Sequence, residues 1–421
     1  MVPPKLKDRR KQTKVSFFGN FGQGNLGNEG TLQAILDNLR TGLPDAEMNC
    51  ICTGPAATAT TYNIAAFPIH ETFVKRELLQ SNRLAKLVRK IFIGIPIEFY
   101  RWIRAICTLR DTDLLIVPGT QFLSDNLTGP WGGPYMVFKW SVVAKLRRCK
   151  VLFVSVGVGP LRHSISRFFV KFALRLADFR SYRDPASKQY VGSIGFNQAN
   201  DPVYPDLAFS LPITSVPRAG GSDGGRPVIA VGVQDYHGQF APWLRELSAD
   251  DTYRCYIDRM TAFVAWLLEH SYTVRLVIGD VSYDTQVLAD LQRALTEREI
   301  RYESHHLIAE PIESLEQLIS QLATSDIVVS PRFHNLVFGL LLNKPVFALS
   351  YHEKFSALLE SSDLARFNVP IEHADPETIT ERFCELERNR GELKRKISEN
   401  VVRYRAALAE QYSHILTLVR S

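Results

Sequence analysis

The sequence predicts an α/β protein of two doubly wound, Rossmann-like domains facing a cleft, on three observations. Its 421 residues exceed the roughly 250–300 at which one hydrophobic core stops growing. Short apolar runs alternate with helical patterns along the chain, the mark of parallel sheets flanked by helices. Between the halves, residues 213–227 read ITSVPRAGGSDGGRP, a Gly-, Pro- and Ser-dense tract without apolar period, as expected of a linker. Domains are therefore expected over 1–212 and 228–421.

In the first half, strands are expected at 15–18, 48–52, 113–117 and 151–156, with a helix over 29–39 after the first. The run at 151–156, VLFVSV, is apolar enough to be covered on both faces. In the second half, strands are expected at 228–233, 274–278, 326–329 and 345–349. Helices are expected over 254–270, 286–296 and 335–342. A last helix over 392–419 is longer than the second sheet needs and could cross back to the first domain.

The composition is that of a globular protein, 45% hydrophobic and 22% charged, with a net charge of +6. That mild excess suits an anionic small molecule or a membrane surface and does not argue for nucleic acid. Cys50, Cys52, Cys107, Cys149, Cys255 and Cys384 form no CxxC pair and mostly sit in apolar runs. Buried free thiols are expected, with neither zinc nor a disulfide framework. The adjacent His305 and His306 would point to opposite faces of a strand, so no metal site is expected there. With no apolar stretch of signal or membrane-spanning length, a cytoplasmic protein is expected.

Glycine-rich loops follow several strands, where doubly wound folds bind ligands. The first is GNFGQGNLGNEG over 19–30, containing G-x-G-x-x-G at Gly22, Gly24 and Gly27. A dinucleotide site also needs an acid closing the second strand, and CICTG over 50–54 has none. Two readings stay open: a turn with Asn28 capping the helix, or a loop binding sugar or phosphate. Others hold Gly119 and Asp125, and Gly157 and Gly159. Cationic groups gather at SYRDPAS (Arg183), SPRFHN (Arg332, His334) and SYHEKF (Lys354). Lys354 sits where a helix should begin, a place whose dipole disfavours a cation unless an anion binds there.

GNLGNE over 24–29, RDPAS over 183–187, PDLAF over 205–209, PRFH over 331–334, KP at 344–345 and YHEK over 351–354, in that order, resemble the polysaccharide pyruvyl transferase family. Departures include Phe333 for a common leucine and His352-Glu353 for a frequent Asp-Pro. The resemblance implies a two-domain fold like glycosyltransferase B enzymes, phosphoenolpyruvate as donor and a sugar or lipid-linked oligosaccharide as acceptor, with no cofactor or metal. It implies that Arg183, Arg332, His334 and Lys354 surround the donor, with Arg332 and His334 catalytic, His334 as acid or base. Asn25, Asn28, Glu29, Gly119, Asp125, Gly157 and Gly159 are assigned to the acceptor. The alternatives are a nucleotide-sugar glycosyltransferase and a non-catalytic sugar-binding protein, because one fold hosts many functions.

Residues 82–110, NRLAKLVRKIFIGIPIEFYRWIRAICTLR, mix Leu, Ile, Phe and Trp with basic residues at helical spacing. Two readings stay open: helices covering the sheet, or peripheral attachment to the inner face of a membrane.

Overall fold

The computed structural model describes residues 12–70, 94–126, 128–213, 226–237, 248–300 and 303–420. The tract over 214–225 and residues 82–93 of the basic segment lie outside the described residues. Contacts divide the chain into two compact units. One takes its residues from 1–22, 36–181 and 412–421; the other from 23–35 and 182–411.

The sheet of the first unit contains β1 (Lys14–Gly19), β2 (Glu47–Cys52), β3 (Ala65–Pro68), β4 (Leu114–Pro118), β5 (Lys150–Val156) and β6 (Phe179–Tyr182). Its order is β3-β2-β1-β4-β5-β6, the doubly wound order. Helices α1 (Leu26–Gly42), α2 (Pro55–Tyr62), α3 (Ile95–Thr108), α4 (Gly133–Leu146) and α5 (Ser164–Leu176) follow its strands in the chain. All of β5 after Lys150 is buried, as its unbroken apolar run required.

The second unit repeats the pattern. After α6 (Pro185–Ser193) come β7 (Val228–Gly232), α7 (Ala249–Glu269), β8 (Thr273–Val277), α8 (Asp284–Glu297) and β9 (Leu307–Ile308). Then follow α9 (Leu315–Ala323), β10 (Ile327–Ser330), α10 (Phe333–Leu341), β11 (Val346–Ser350), α11 (Glu353–Ser361), β12 (Asn368–Pro370), α12 (Pro376–Arg388) and α13 (Arg390–Arg420). The order β12-β11-β10-β7-β8-β9 is again doubly wound, with its switch point between β7 and β10. The chain is thus α/β with two six-stranded parallel sheets. The interior strands are those the apolar runs marked. β3, β6, β9 and β12 were not anticipated, being two to four residues long and too short to show a period.

Cys50, Cys52 and Cys149 are buried, whereas Cys107 is exposed and Cys255 and Cys384 are half-buried. The three that depart from the expectation lie on helices, where an apolar neighbourhood in sequence need not face the core. Among the described residues, no helix is long and apolar enough to cross a membrane.

Helix α10 is hydrophobic on nearly every side, FHNLVFGLL, and is buried accordingly. Gly339 lets it approach the sheet: a Cβ there would lie 2.9 Å from Val346 Cγ1 and 3.1 Å from Val328 Cγ2. Gly339→Leu should therefore overpack this contact and cost roughly 1–3 kcal/mol, read as a lower urea midpoint. Gly391→Ala, where a Cβ meets nothing within 4 Å, should show no such loss.

Candidate active site

The site of the second unit grows from one buried carboxylate. Asp284 opens α8 and is fully buried. It accepts hydrogen bonds from the backbone N–H of Gly279 and Asp280, both at 3.0 Å, and of Asp235 at 3.2 Å. It also takes Arg332 in a two-pronged pair, Nε at 2.8 Å and Nη2 closer still. The segments after β7, β8 and β10 are thereby tied together at the switch point. Burial opposes the charge of Arg332, but Asp284 outweighs it and holds the guanidinium above its ordinary range. Two of the three guanidinium nitrogens assigned to the donor are thus bound by a residue that sequence reading missed.

Arg332 precedes α10, and its carbonyl accepts from Asn335 N–H at 3.1 Å. This start orients His334. Its Nε2 is buried without a hydrogen bond and faces Asp206 Oδ2 at 3.7 Å. The same oxygen lies 3.5 Å from Arg183 Nη1, and the other Asp206 oxygen accepts from Ala208 N–H at 3.0 Å. Burial above all, then the nearby cations Lys354, Arg183 and Arg332, pushes the imidazole down to about 4, against the opposing pull of Asp206. His334 is therefore neutral near pH 7.

Lys354 stands in the first turn of α11. His352 caps that helix, its Nδ1 accepting from Lys354 N–H at 3.2 Å. Among the described residues, no carboxylate forms an ion pair with the Lys354 ammonium. Instead it sits among aromatic rings, 5.3 Å from the centroid of Phe333 and 5.6 Å from those of Tyr351 and Phe355. Arg183 lies 4.9 Å from the Phe333 ring. Burial first, then Arg183 and Arg332, lowers Lys354 to about 7. Arg183, Asp206, Phe333 and Lys354 line a cavity of about 220 Å³ whose far wall includes Phe209 and Tyr404. Sequence reading brought out both cationic residues of this lining, Arg183 and Lys354. It named Asp206 only within a motif, and Tyr404, 50 residues beyond Lys354 in number, had no signal.

The glycine-rich loop takes another place than expected. Residues 23–35 belong to the same unit as His334, not to the first domain in which the 1–212 boundary places them. The loop spends its backbone on protein: Leu26 N–H donates to Gly279 O at 3.0 Å, and Gly24 O accepts from Val281 N–H at 2.8 Å. Asn25, not Asn28, caps α1, its Oδ1 accepting from Asn28 N–H at 3.1 Å, while its Nδ2 donates to Asp280 at 3.1 Å. Glu29 lies in the first turn of α1. Gly27 rests against the imidazole: a Cβ there would lie 2.0 Å from His334 Nδ1. Gly30 likewise faces Phe338, at 2.8 Å from Cζ. Glycines three apart thus receive rings four apart on α10, and the pattern seats a histidine.

The remaining acceptor candidates belong to the first unit. Asp125 accepts from Arg162 and His163 N–H, each at 3.0 Å, and so fixes the start of α5. At Gly119 a Cβ would meet Ser155 O at 2.4 Å. Gly159 has φ +93° and donates to Leu123 O at 2.8 Å; Gly157 is half-buried beside it. These groups serve the strand-end loops that hold them.

His305 and His306 also depart from expectation. They lie in a 3₁₀ turn, 304–306, because β9 begins only at Leu307. Their ring centroids are 4.1 Å apart, and Glu303 completes a group that could hold a metal ion. Arg226 Nη1 lies 3.1 Å from His306 Nδ1, a positive charge that works against a metal cation.

Two outcomes follow from this geometry. The unfolded chain protonates His334 near 6.5 and the folded chain only near 4. Its contribution to stability is therefore lost as pH falls through that window, and its ring ¹⁵N resonances should not titrate above about pH 5. Gly27→Ala should displace the ring and shift those resonances, whereas Gly391→Ala should leave them unmoved.

Residues 25–353 match the polysaccharide pyruvyl transferase family. No curated protein matches the sequence. Among solved structures, the UDP-GlcNAc 2-epimerase of Neisseria meningitidis, bound to UDP-GlcNAc, superposes with a TM-score of 0.56 at 13% identity, covering 96% of this chain and 100% of that one. HepE of Anabaena, in complex with UDP and glucose, gives 0.55 at 13% identity over 96% and 100%. The glycosyltransferase SnogD of Streptomyces nogalater gives 0.53 at 14% identity over 97% and 100%. At such identities these likenesses speak for the fold, that of the glycosyltransferase B class. The match over most of its length identifies the chain as a member of the polysaccharide pyruvyl transferase family.

Proposed function

We propose that this protein transfers the pyruvyl group of phosphoenolpyruvate to two hydroxyls of a sugar, in a surface polysaccharide or its lipid-linked precursor, and releases phosphate. The observation carrying this reading is Lys354, desolvated among aromatic rings beside Arg183 with no carboxylate paired to it among the described residues. Cations so arranged suit an anion, and phosphoenolpyruvate brings both a carboxylate and a phosphate. The cavity of about 220 Å³ is smaller than the roughly 300–1,000 Å³ typical of drug-sized ligands, which favours this donor over a nucleotide sugar.

In this reading Arg183 grips one anionic group through its planar fork, and Lys354 neutralises the phosphate. Protonation of the donor methylene carbon makes the adjacent carbon cationic. The first sugar hydroxyl adds there and gives up its proton. The second hydroxyl then displaces phosphate, breaking the C–O bond and closing the ketal. One hydroxyl proton balances the new methyl C–H bond, and the other leaves with phosphate. Neutral His334 acts as the base that takes a hydroxyl proton. Asp206 then faces the resulting imidazolium. Arg332 acts through position: held by Asp284, it fixes the start of α10 and adds positive field.

Phosphoenolpyruvate should raise the melting temperature and UDP-GlcNAc should not. The opposite ranking supports the nucleotide-sugar glycosyltransferase, and protection by neither supports a non-catalytic sugar-binding protein. Lys354→Met should abolish the protection. His334→Ala should keep it while lowering turnover about 10²–10⁴-fold; near-normal turnover removes His334 from the chemistry.

A further inference from the structure

Helix α3 of the first unit is amphipathic the wrong way round. Its polar side faces the protein: Glu98 accepts from Tyr135 OH at 2.8 Å and from the buried Lys139 Nζ at 3.1 Å, and pairs with Arg101 at 3.2 Å. Its apolar side faces out. Ile95 is 62% exposed, Phe99 68% and Ile103 44%. Spaced four apart, they share one helical face.

The apolar surface continues onto the neighbouring helices. Trp102 of α3 donates to Tyr135 of α4 at 3.0 Å. Trp131, itself 60% exposed, lies 5.5 Å from the Tyr135 ring and 5.7 Å from Phe169 of α5. Phe168, 51% exposed, lies 6.2 Å from Phe138 of α4. Contiguous exposed apolar surface of this kind marks an interaction site.

Charge identifies what covers it. Residues 126–177 contain nine Lys and Arg and no Asp or Glu; Lys139 is buried against Glu98 and Lys145 pairs with Asp178, so the cations at issue are those of α5. On α5, Arg167, Lys171 and Arg175 recur every fourth residue, beside the stripe of Ile165, Phe168 and Phe172. A one-signed cationic stripe bordering exposed aromatic side chains is the chemistry of an anionic bilayer interface. A protein partner would more often meet charges of both signs. The basic segment, for which a membrane surface is one of two readings, thus contributes α3, and α5 supplies cations that its sequence alone did not single out.

We infer that this face of the first unit lies on a bilayer surface rich in anionic lipid. Phe99, Ile103, Trp131 and Phe168 enter the acyl boundary, and Arg167, Lys171 and Arg175 meet the headgroups. The inference stands apart from the proposed reaction, because none of these residues belongs to the donor site.

The test is co-sedimentation of the full chain with vesicles of phosphatidylglycerol and phosphatidylcholine, against phosphatidylcholine alone, at low and high salt. Wild type should pellet with the anionic vesicles at low salt, with its tryptophan emission shifted to the blue. High salt should release it, and Trp131→Phe should remove most of the shift. Joint substitution Arg167→Glu, Lys171→Glu and Arg175→Glu should weaken binding about a hundredfold. Phe99→Asp with Phe168→Asp, which leaves the three basic residues in place, should weaken it as well. Variants count once their circular dichroism and melting temperature match wild type. Wild type remaining in the supernatant at low salt overturns the inference, as does unchanged binding by both folded variants. Light scattering that shows a dimer dissolved by Phe99→Asp, without vesicle binding, would assign the face to a second copy of the chain instead.

Discussion

The second unit depends on the Asp284 carboxylate. A fully buried charge is costly unless its hydrogen-bonding capacity is met, and here three backbone N–H groups and a guanidinium meet it. Those donors come from the segments after three strands, so satisfying the charge fixes where the segments lie. Arg332 is held as a consequence, and from Arg332 follows the start of α10, hence the direction in which His334 projects. An aspartate 48 residues before its arginine thus sets the geometry of a histidine it does not touch.

Around that frame the carboxylates of the site are engaged by groups other than Lys354, Asp184 lying 3.5 Å from Arg183 Nε. Asp284 is spent on Arg332, and Asp206 is divided between Arg183 and His334 at 3.5 and 3.7 Å. Lys354 is left to aromatic rings, whose faces attract a cation less strongly than a carboxylate would. Burial first, then the neighbouring cations, holds both Lys354 and His334 below their ordinary values.

Much of this could be read from the chain. The interior strands stood out because burial on both faces demands unbroken apolar runs, as at Val151–Val156. Arg183, Arg332, His334 and Lys354 stood out because basic residue types gather beside strand ends, and Lys354 also because a helix start disfavours a cation. The edge strands could not be read, because two to four residues carry no period. Asp284 gave no sign, because its side-chain partner Arg332 is 48 residues away and its other partners are backbone N–H groups. The loop at Gly24–Asn28 announced a close approach to the backbone but not what approaches; Gly27 faces the His334 ring, where the motif suggested a ligand. Helix α3 showed amphipathicity without direction, and only its buried Glu98–Lys139 pair reveals which side faces out.

The central claim is that the cluster around Lys354 is built for an anionic donor. Titration calorimetry with phosphoenolpyruvate, in buffers of different ionisation enthalpy about one pH unit above the lysine value of about 7, tests it most directly. At that pH most Lys354 ammonium groups have lost their proton, and a phosphate bound beside them restores it. The account predicts uptake of close to one proton per site, lost in Lys354→Met. Binding without proton uptake, or no binding, would contradict it.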